Sequence, residues 1–488
     1  MGRTLISIER GTGEPIYQQL RKALEHEIAS GALNPRLPLP SSRELARELG
    51  VSRNTVNTAY QELQAEGFIE SQPRRGLFVN PEMLKHLEYG EDEPVATAVD
   101  WSQRIRRSPD AEMPEIAKVR DWDRYPYPFV AGQVDAESFP KLAWARALRD
   151  ALDPPHLHYS LRDGIDEDDP LLVDALCRAV LPTRGIEADP EQVLITLGSQ
   201  QGLDLLGYTL LRPGDSVGVE DPGYLDARHI FSRAGALLTP LRVDASGLIP
   251  PPDLHGISLL HLTPSHHSPT NVTLSIGRRK QLLALAQQSD TLIIEDDYDS
   301  EFRYQGSPTP ALKALPGSER VIYLGTFSKF LAPGLRLGYL VASPELIREL
   351  RSQRRYRVRH ASGHLQRAMS LLIENGQYHR TVRRRRTQLQ RKWHALRESL
   401  NETLPWRIDP PPGGVSIWVS GPPELDCVEL ARRALARGVV IERGDIYFAD
   451  PAANRNHFRL GFAAIPHEAI RPGVAQLRRV ITTMLEPR

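Results

Sequence analysis

The chain has 488 residues, with 61 basic and 61 acidic side chains and a formal net charge of zero. The proportions of hydrophobic (40%) and charged (25%) residues are typical of a globular protein and exclude wholesale disorder. With only two cysteines, Cys177 and Cys427, neither a disulfide framework nor a cysteine-based zinc site is expected. Because no apolar run is long enough to span a membrane and the first residues lack a secretory pattern, we expect a soluble, cytoplasmic protein.

The region from about residue 12 to 80 is predicted to form three helices and a β-hairpin. Apolar residues recur every four positions at 16, 20, 24 and 28, as on one face of a helix. Ser41 and Glu44 have the spacing of a capping box, Gly50 ends the second helix, and Ser52 caps the third. The strand-like runs FIESQ and LFV follow, separated by a tip at 73–76. Two helices joined by a tight turn predict a helix-turn-helix.

The outward side chains of the third helix are candidates for binding DNA, because the second helix of a helix-turn-helix enters the major groove. Arginine can pair with guanine edges or phosphates, and asparagine can pair with adenine. The candidates on this helix are Ser52, Arg53, Asn54, Thr55 and Asn57. Arg43, Arg74 and Arg75 are expected to hold flanking phosphates. From the residues alone, a helical subdomain with solvated arginines is the alternative.

The strings PIYQQLRKALEHEIASGAL and LPSSRELARELGVSRNTVNTAYQELQAEGFIESQPRRGLFV resemble the winged helix-turn-helix of the GntR family over about 65 residues. The resemblance implies that Arg43, Arg53 and Thr55 occupy DNA-contact positions and that Gly76 forms the turn of the wing. The family often has an arginine at the position of Asn57, so the resemblance does not define the base preference there.

The rest of the chain divides into a linker and a large α/β domain. Residues 81–125 show no sustained apolar period and are predicted to be a linker, and residues 126–488 form the large domain. Short β-rich runs alternate with longer helical segments, which favours a largely parallel sheet. The predicted strands are 193–196, 216–220, 259–263, 291–296, 321–326 and 338–343, and predicted helices include 200–211, 277–288 and 344–360.

Lys329 follows one of these strands among apolar neighbours, in YLGTFSKFLAPGLRLGYL. A lysine at a strand end is usually a surface residue, but desolvation lowers the ammonium pKa and the free amine can form a Schiff base with an aldehyde. The sequence also supplies carboxylates in TLIIEDDYDSEF, which can hold a cofactor ring nitrogen, and a strand–glycine–helix segment, LITLGSQQGLDLL, whose N–H groups can hold phosphate. Arg336 can add a bidentate phosphate contact.

The motifs GSQQ, DPGY, TPSHHSPTN, EDDYDSEF, GTFSK and GLRLG occur in this order and resemble fold-type-I aminotransferases, which bind pyridoxal 5′-phosphate. The resemblance covers about residues 125–488. It implies that Lys329 is the catalytic lysine that bonds to the cofactor and that Asp296 pairs with the pyridine nitrogen, with the flanking Glu295 and Asp297 left as alternatives. Tyr298 would bind the ring oxygen, Tyr224 would stack on the ring, and Arg459 would receive a carboxylate. The implied phosphate ligands are Ser199, Gln200, Thr326, Ser328 and Arg336.

The loop TPSHHSPTN departs from the pattern of related domains, which usually have TPSHQ followed by an aromatic residue and P-T-G. Here the corresponding residues are His266, His267, Ser268, Pro269, Thr270 and Asn271. Ring-side and effector contacts are therefore expected to differ. Adjacent histidines without other ligands at suitable spacing are expected to be structural, so no metal site is predicted.

A GntR-type head on an aminotransferase-like body is the architecture of MocR- or GabR-type regulators. The resemblance implies a homodimeric regulator that binds an operator and senses an amino compound or pyridoxal 5′-phosphate. The alternative is an active aminotransferase with an attached DNA-binding head, and a third is a DNA-binding module on a scaffold without cofactor. The stretch 351–386 contains eleven arginines and one acid, and either holds DNA or forms a solvated or ion-paired helix face.

Overall fold

The computed structural model describes residues 14–73, 75–83, 99–105, 113–306, 309–329 and 331–486. The chain forms two compact units, Met1–Arg106 and Arg107–Arg488. Within the described residues, no helix has both the length and the apolar character needed to cross a membrane. Of the predicted linker, residues 84–98 and 106–112 lie outside the described part.

The smaller unit has a three-helix core and a hairpin. Its elements are α1 (Ile16–Ala29), α2 (Ser42–Leu49), α3 (Arg53–Ala65), β1 (Ile69–Gln72), β2 (Gly76–Val79) and the short α4 (Trp101–Arg104). The predicted capping box is confirmed, since the Ser41 side chain accepts from the Glu44 N–H and the Glu44 side chain accepts from the Ser41 N–H. Gly50 ends α2 in the left-handed conformation, with φ of 62°, and Ser52 caps α3.

One apolar core holds the smaller unit together. The buried face of α1 (Leu20, Leu24 and Ile28) meets Val56 and Leu63 of α3. Tyr60 also belongs to this core, and its hydroxyl donates a hydrogen bond to the Pro40 carbonyl oxygen at 2.9 Å, which fixes α3 against the proline-rich turn. The turn and the caps together set the angle at which α3 presents its outer side chains.

The larger unit is built on a twisted, mostly parallel sheet with helices on its faces. Its strands are β3 (Tyr127–Pro128), β4 (Val193–Thr196), β5 (Ser216–Asp221), β6 (Leu237–Asp244), β7 (Gly247–Leu248), β8 (Ile257–Leu262), β9 (Leu292–Asp297), β10 (Val321–Thr326), β11 (Gly338–Val341), β12 (Ser416–Ser420), β13 (Val439–Val440), β14 (Glu442–Arg443) and β15 (His457–Gly461). Its helices are α5 (Lys141–Asp150), α6 (Pro154–Leu161), α7 (Pro170–Ala175), α8 (Ser199–Leu210), α9 (Leu225–Arg233), α10 (Ile276–Gln288), α11 (Pro344–Val358), α12 (Gly363–Glu374), α13 (Gln377–Thr403), α14 (Cys427–Leu435) and α15 (Ile470–Leu485). The six predicted strands and three predicted helices are confirmed, with small shifts at their ends.

The strand order of the main sheet brings the loops of the site to one edge. The order is β4-β11-β10-β9-β8-β5-β6-β7, and β11 is antiparallel to both of its neighbours. Consequently β4, β10, β9, β8, β5 and β6 point the same way, and their carboxyl ends lie together. Ligands of open α/β sheets bind at this edge. A smaller antiparallel sheet, β12-β15-β14, carries Arg459.

Six of the eleven arginines in the stretch 351–386 are paired with acids, which favours the ion-paired alternative over DNA contact for these six. Asp168 alone accepts from Arg351 at 2.7 Å and from the fully buried Arg354 at 2.6 Å. The other pairs are Arg355–Asp166, Arg357–Asp204, Arg359–Asp163 and Arg367–Asp169. Arg385 is buried as well. The acids were missed because they lie far away in sequence.

Candidate functional site

A cavity of about 270 Å³ opens at the carboxyl edge of the main sheet. All ten residues predicted to bind cofactor or effector line it: Ser199, Gln200, Tyr224, Asp296, Tyr298, Thr326, Ser328, Lys329, Arg336 and Arg459. Nine further residues complete the wall: Ile116, Lys118, Ala131, Gly132, Asp226, Ser268, Pro333, Glu442 and Tyr447. Of these nine residues, the sequence analysis placed only Ser268, through its loop, beside the cofactor; it did not identify the other eight as part of the pocket.

Lys329 lies three residues beyond β10, and its side chain projects into the cavity. Its Nζ is 5.9 Å from the centre of the Tyr298 ring. Burial, followed by the positive charges of Arg459 and Lys118, lowers the pKa of Lys329 from 10.5 to about 8. Near physiological pH, far more of this amine than of an ordinary lysine is therefore neutral, and the neutral form is the one that attacks a carbonyl carbon.

The three consecutive acids of β9 have different partners because side chains alternate between the two faces of a strand. Glu295 accepts from the N–H groups of Leu312 and Lys313, and burial together with the charge of Asp297 raises its pKa to about 7. Asp297 accepts from Arg184 at 2.8 Å and from the Tyr323 hydroxyl at 2.7 Å. Asp296, on the opposite face, lines the cavity. Of the three acids, Asp296 is therefore the one that the strand register turns toward the cavity.

The amino terminus of α8 and the chain around Arg336 form one end of the cavity. Gly198 precedes α8 with φ of 81°, and a Cβ at this position would lie only 3.1 Å from the Arg336 guanidinium. Arg336 donates to the Leu197 carbonyl oxygen at 2.9 Å, which holds its side chain across the start of α8. Free backbone N–H groups and a guanidinium at a helix start are the groups that bind phosphate.

Three buried polar atoms of the cavity wall have no hydrogen-bond partner among the described residues: Asp296 Oδ1, the Tyr298 hydroxyl and Ser328 Oγ. Buried polar groups are normally paired, so these atoms fit a ligand with its own polar atoms. Their chemistry matches a protonated ring nitrogen, a ring oxygen and a phosphate, in that order. The residues present therefore fit pyridoxal 5′-phosphate.

Tyr224 and Gln200 share a partner that the sequence prediction missed. The Tyr224 hydroxyl donates to Asp226 at 3.1 Å, and the Gln200 amide donates to the same carboxylate at 2.6 Å. Burial, followed by the charge of Asp226, raises the pKa of Tyr224 well above 10. Asp226 thus fixes both side chains at the cavity wall, with the tyrosine in its protonated form.

Arg459 lies on β15 with its side chain held by three neighbours. Its Nε donates to Ser416 Oγ at 2.8 Å, and its Nη1 donates to the Tyr447 hydroxyl at 3.2 Å. The Glu442 carboxylate lies 3.5 Å from the same Nη1. None of the three neighbours was identified from sequence, because their strands meet Arg459 only in the folded sheet.

The segment 113–118, which the sequence placed in the linker, contributes to the cavity wall. Met113 and Ile116 pack against Leu225, Ile446 and Tyr447. The ammonium group of Lys118 faces that of Lys329 across Gly132: a Cβ on this glycine would lie 3.4 Å from the first and 3.3 Å from the second. This part of the chain therefore belongs to the pocket.

The unusual loop after β8 is held by side-chain contacts within the larger unit. His266 Nδ1 lies 2.8 Å from Asp299, and His267 Nε2 lies 2.9 Å from the Pro222 carbonyl oxygen. Asn271 has φ of 60°, where the family has glycine, and its amide donates to the Ser416 carbonyl oxygen at 2.5 Å. Both histidines have protein partners, and Ser268 lines the cavity where related domains carry an aromatic residue.

In the smaller unit, the predicted DNA-contact side chains lie on or beside α2, α3 and the hairpin. Arg43, Ser52, Arg53, Asn54 and Arg75 are exposed, whereas Thr55 and Asn57 are half-buried. The Ser52 hydroxyl accepts from the Thr55 N–H at 3.1 Å, so it serves as the helix cap. Gly76 has φ of 111° at the wing turn, and Arg74 lies outside the described residues.

Two family models match the chain. The model described as Aminotransferase class I and II matches residues 133–477, and that described as Bacterial regulatory proteins, gntR family, matches residues 16–79. LysN, an alpha-aminoadipate aminotransferase from Thermus thermophilus solved with N-(5′-phosphopyridoxyl)-L-leucine, has a similar fold: the TM-score is 0.71 and the identity 29%, covering 79% of this chain and 99% of that chain. The fold and the site therefore define a DNA-binding regulator with an aminotransferase-type unit.

Relatives that match almost end to end make the class more specific. The chain is 38% identical to the HTH-type transcriptional regulator TauR of Rhodobacter capsulatus over 96% of each chain. It is 32% identical to the probable rhizopine catabolism regulatory protein MocR of Rhizobium meliloti, over 97% of this chain and 95% of that one. The chain belongs to the MocR-type regulators of the GntR family, and the predicted fold and family are confirmed.

Proposed function

We propose that this transcription regulator senses a small amino compound, or pyridoxal 5′-phosphate itself, through the larger unit and transmits the signal to an operator bound by the smaller unit. The observation that carries the proposal is the set of unpartnered polar atoms around Lys329, in a chain that also has a helix-turn-helix. An effector shifts the protein between two conformations only if it binds them with different affinity. A change in operator affinity on adding an effector, measured by fluorescence anisotropy, tests the proposal.

The positions of the side chains support the following cofactor roles. Asp296 would hold the ring nitrogen, Tyr298 the ring oxygen and Tyr224 the ring face. The phosphate would lie against Ser199, Gln200, Thr326, Ser328 and Arg336. When bound through Lys329, pyridoxal 5′-phosphate supplies an electron sink for amino compounds. Arg459 would orient an acid group on such a compound.

We also propose the boundaries of the domains and the oligomeric state of the protein. The DNA-binding domain comprises residues 12–80, the linker 81–125 and the effector domain 126–488, with the segment 113–118 docked on the effector domain. The protein acts as a homodimer, because helix-turn-helix proteins read paired half-sites on double-stranded DNA. It acts in the cytoplasm, where its operator DNA is located. Light scattering at micromolar concentration tests the dimer, and a stable monomer contradicts it.

An active aminotransferase with a DNA-binding head is the second candidate function. It is favoured by the presence of Lys329, Asp296, Tyr298 and Arg459 in one cavity. Sustained formation of keto acid over many turnovers, with a suitable amino donor, would support it. A single slow conversion per site would support the sensor.

Replacing Arg53 with alanine is expected to reduce the discrimination between operator and random DNA by about 1–3 kcal/mol, because only contacts to base edges carry sequence information. Arg53 is exposed at the first turn of α3. Anisotropy titrations with both DNAs measure the ratio of dissociation constants. Arg47→Ala, which removes an exposed arginine of α2 that we do not place on DNA, is the matched control. Equal losses of affinity for operator and random DNA would show that Arg53 contacts phosphate groups and not base edges.

The lowered pKa of Lys329 predicts how the cofactor-free protein captures pyridoxal 5′-phosphate as pH changes. Only the neutral amine reacts, so the rate should rise about tenfold per pH unit below pH 7.5 and level off above a pKa of about 8. Stopped-flow absorbance across pH 6–10 measures it. A rate that keeps rising to pH 10 would show a lysine with its ordinary pKa.

A further inference from the structure

The cavity contains an acid beside the arginine that is expected to receive the effector's carboxylate. Glu442 and Arg459 are directly paired residues of the antiparallel strands β14 and β15. Their side chains are 12% and 10% exposed, and the Glu442 Oε1 to Arg459 Nη1 distance is 3.5 Å. The positive charge of Arg459 is therefore already paired with a carboxylate of the protein itself.

Tyr447 strengthens this arrangement. Its hydroxyl accepts from Arg459 Nη1 at 3.2 Å and donates to Glu442, so the three groups form a continuous chain of hydrogen bonds. Burial, followed by the charge of Glu442, raises the pKa of Tyr447 far above 10, and the hydroxyl keeps its proton. On the other side of the guanidinium, Arg459 Nε donates a hydrogen bond to Ser416 Oγ. The guanidinium is thus held from both ends.

We infer that Glu442 determines which amines the pocket accepts, by disfavouring an acid group on the amine-bearing carbon. An amine that reaches Lys329 with such an acid group directs that group toward Arg459, where it meets the Glu442 carboxylate in a partly desolvated pocket. Like charges in such contact disfavour binding. The preferred effectors are primary amines without an acid group on that carbon. This inference rests on the proposed function, because it deepens the effector specificity of the same site.

Alanine and ethylamine provide a matched pair of probes, because alanine is ethylamine with one carboxylate added to the amine-bearing carbon. Each is titrated into the full-length protein loaded with pyridoxal 5′-phosphate. Binding is measured by the change in visible absorbance and, independently, by calorimetry. We expect wild-type protein to require about tenfold or more alanine than ethylamine for half-saturation. Equal or tighter binding of alanine would overturn the inference.

Glu442→Gln keeps the size and hydrogen-bonding capacity of the side chain and removes its charge. We expect the alanine half-saturation concentration to fall about tenfold and that of ethylamine to change by less than about threefold. Glu442→Asp is the second variant. It moves the carboxylate away from the pocket by one methylene, so it should also lower the half-saturation concentration of alanine. Glu429→Gln makes the same chemical change on α14, outside the cavity, and should leave both values as in wild type.

The outcomes separate this inference from the function on which it rests. Wild-type protein that shows neither cofactor absorbance nor operator binding contradicts the proposed function. If both are present and the ratio of the two half-saturation concentrations is unchanged in Glu442→Gln and Glu442→Asp, only the role of Glu442 is overturned. Parallel changes for both probes would assign Glu442 to pocket structure and would also overturn it.

Discussion

Alanine in place of Lys329 is expected to abolish the visible absorbance band of the Schiff base between the lysine and the cofactor while operator binding persists. Among the described residues, the cavity wall contains two lysines, Lys329 and Lys118. Lys329 lies beside Tyr298 at the end of β10, whereas Lys118 belongs to the segment 113–118 on the other side of Gly132, so we do not expect it to replace Lys329. DNA binding should persist because the helix-turn-helix belongs to a separate compact unit. Absorbance spectra and operator titrations of the same preparation measure both effects.

The matched control for this variant is Lys280→Ala, which removes an exposed lysine of α10 outside the cavity. Its spectrum should be that of wild type. Cofactor absorbance of wild-type intensity in Lys329→Ala would remove Lys329 from its proposed role. Loss of operator binding in Lys329→Ala, with the fold intact by circular dichroism, would show that the DNA-binding unit depends on the cofactor.

Asp168→Ala is expected to lower the free energy of unfolding of the larger unit by about 3–5 kcal/mol, because it leaves a buried charge without its partner. Asp168 binds Arg354, which is fully buried, as well as Arg351 and the N–H of Ile195 on β4. In this variant, the hydrogen bond that Arg354 keeps within the described residues is the one to the Ile195 carbonyl oxygen, at 2.5 Å. Chemical denaturation measures the loss.

Asp166→Ala is the control, two residues away on the same loop. Asp166 is 91% exposed and lies 3.8 Å from Arg355, so its removal should cost about 0–1 kcal/mol. Similar costs for the two variants would contradict the buried pair. Because β4 leads directly into Gly198 and Ser199, Asp168→Ala should also weaken cofactor binding, whereas Asp166→Ala should not.

Local signals in the sequence were sufficient for much of this structure. The caps of α2 and α3 depend on residues within one helical turn, so Ser41, Glu44, Gly50 and Ser52 could be identified directly. The cavity residues lie at the ends of parallel strands, where short motifs mark a strand followed by a turn. Nine of the ten predicted cofactor and effector residues lie in the motifs that resemble the aminotransferases, so the resemblance identified them before any contact was known. The tenth, Arg459 on the antiparallel strand β15, was implied by the same resemblance.

What could not be predicted depends on contacts between distant parts of the chain. Whether Asp296, Glu295 or Asp297 lines the cavity depends on which face of β9 meets the cavity. Glu442 meets Arg459 only because β14 pairs with β15 in one register. The sequence left open whether the arginines of α11 hold DNA or pair with acids, because an acid such as Asp168 is almost two hundred residues away in the chain.

The position of the segment 113–118 has a practical consequence for dissecting the protein. Because Ile116 and Lys118 form part of the cavity wall, a fragment beginning at residue 126 would lack one side of its own binding pocket. Such a fragment should release cofactor faster than the intact chain, and Leu225, Ile446 and Tyr447 would lose their apolar cover. We therefore expect that the smallest fragment with a complete pocket begins at or before Met113. The segment that follows the DNA-binding unit in the chain thus also forms part of the pocket wall.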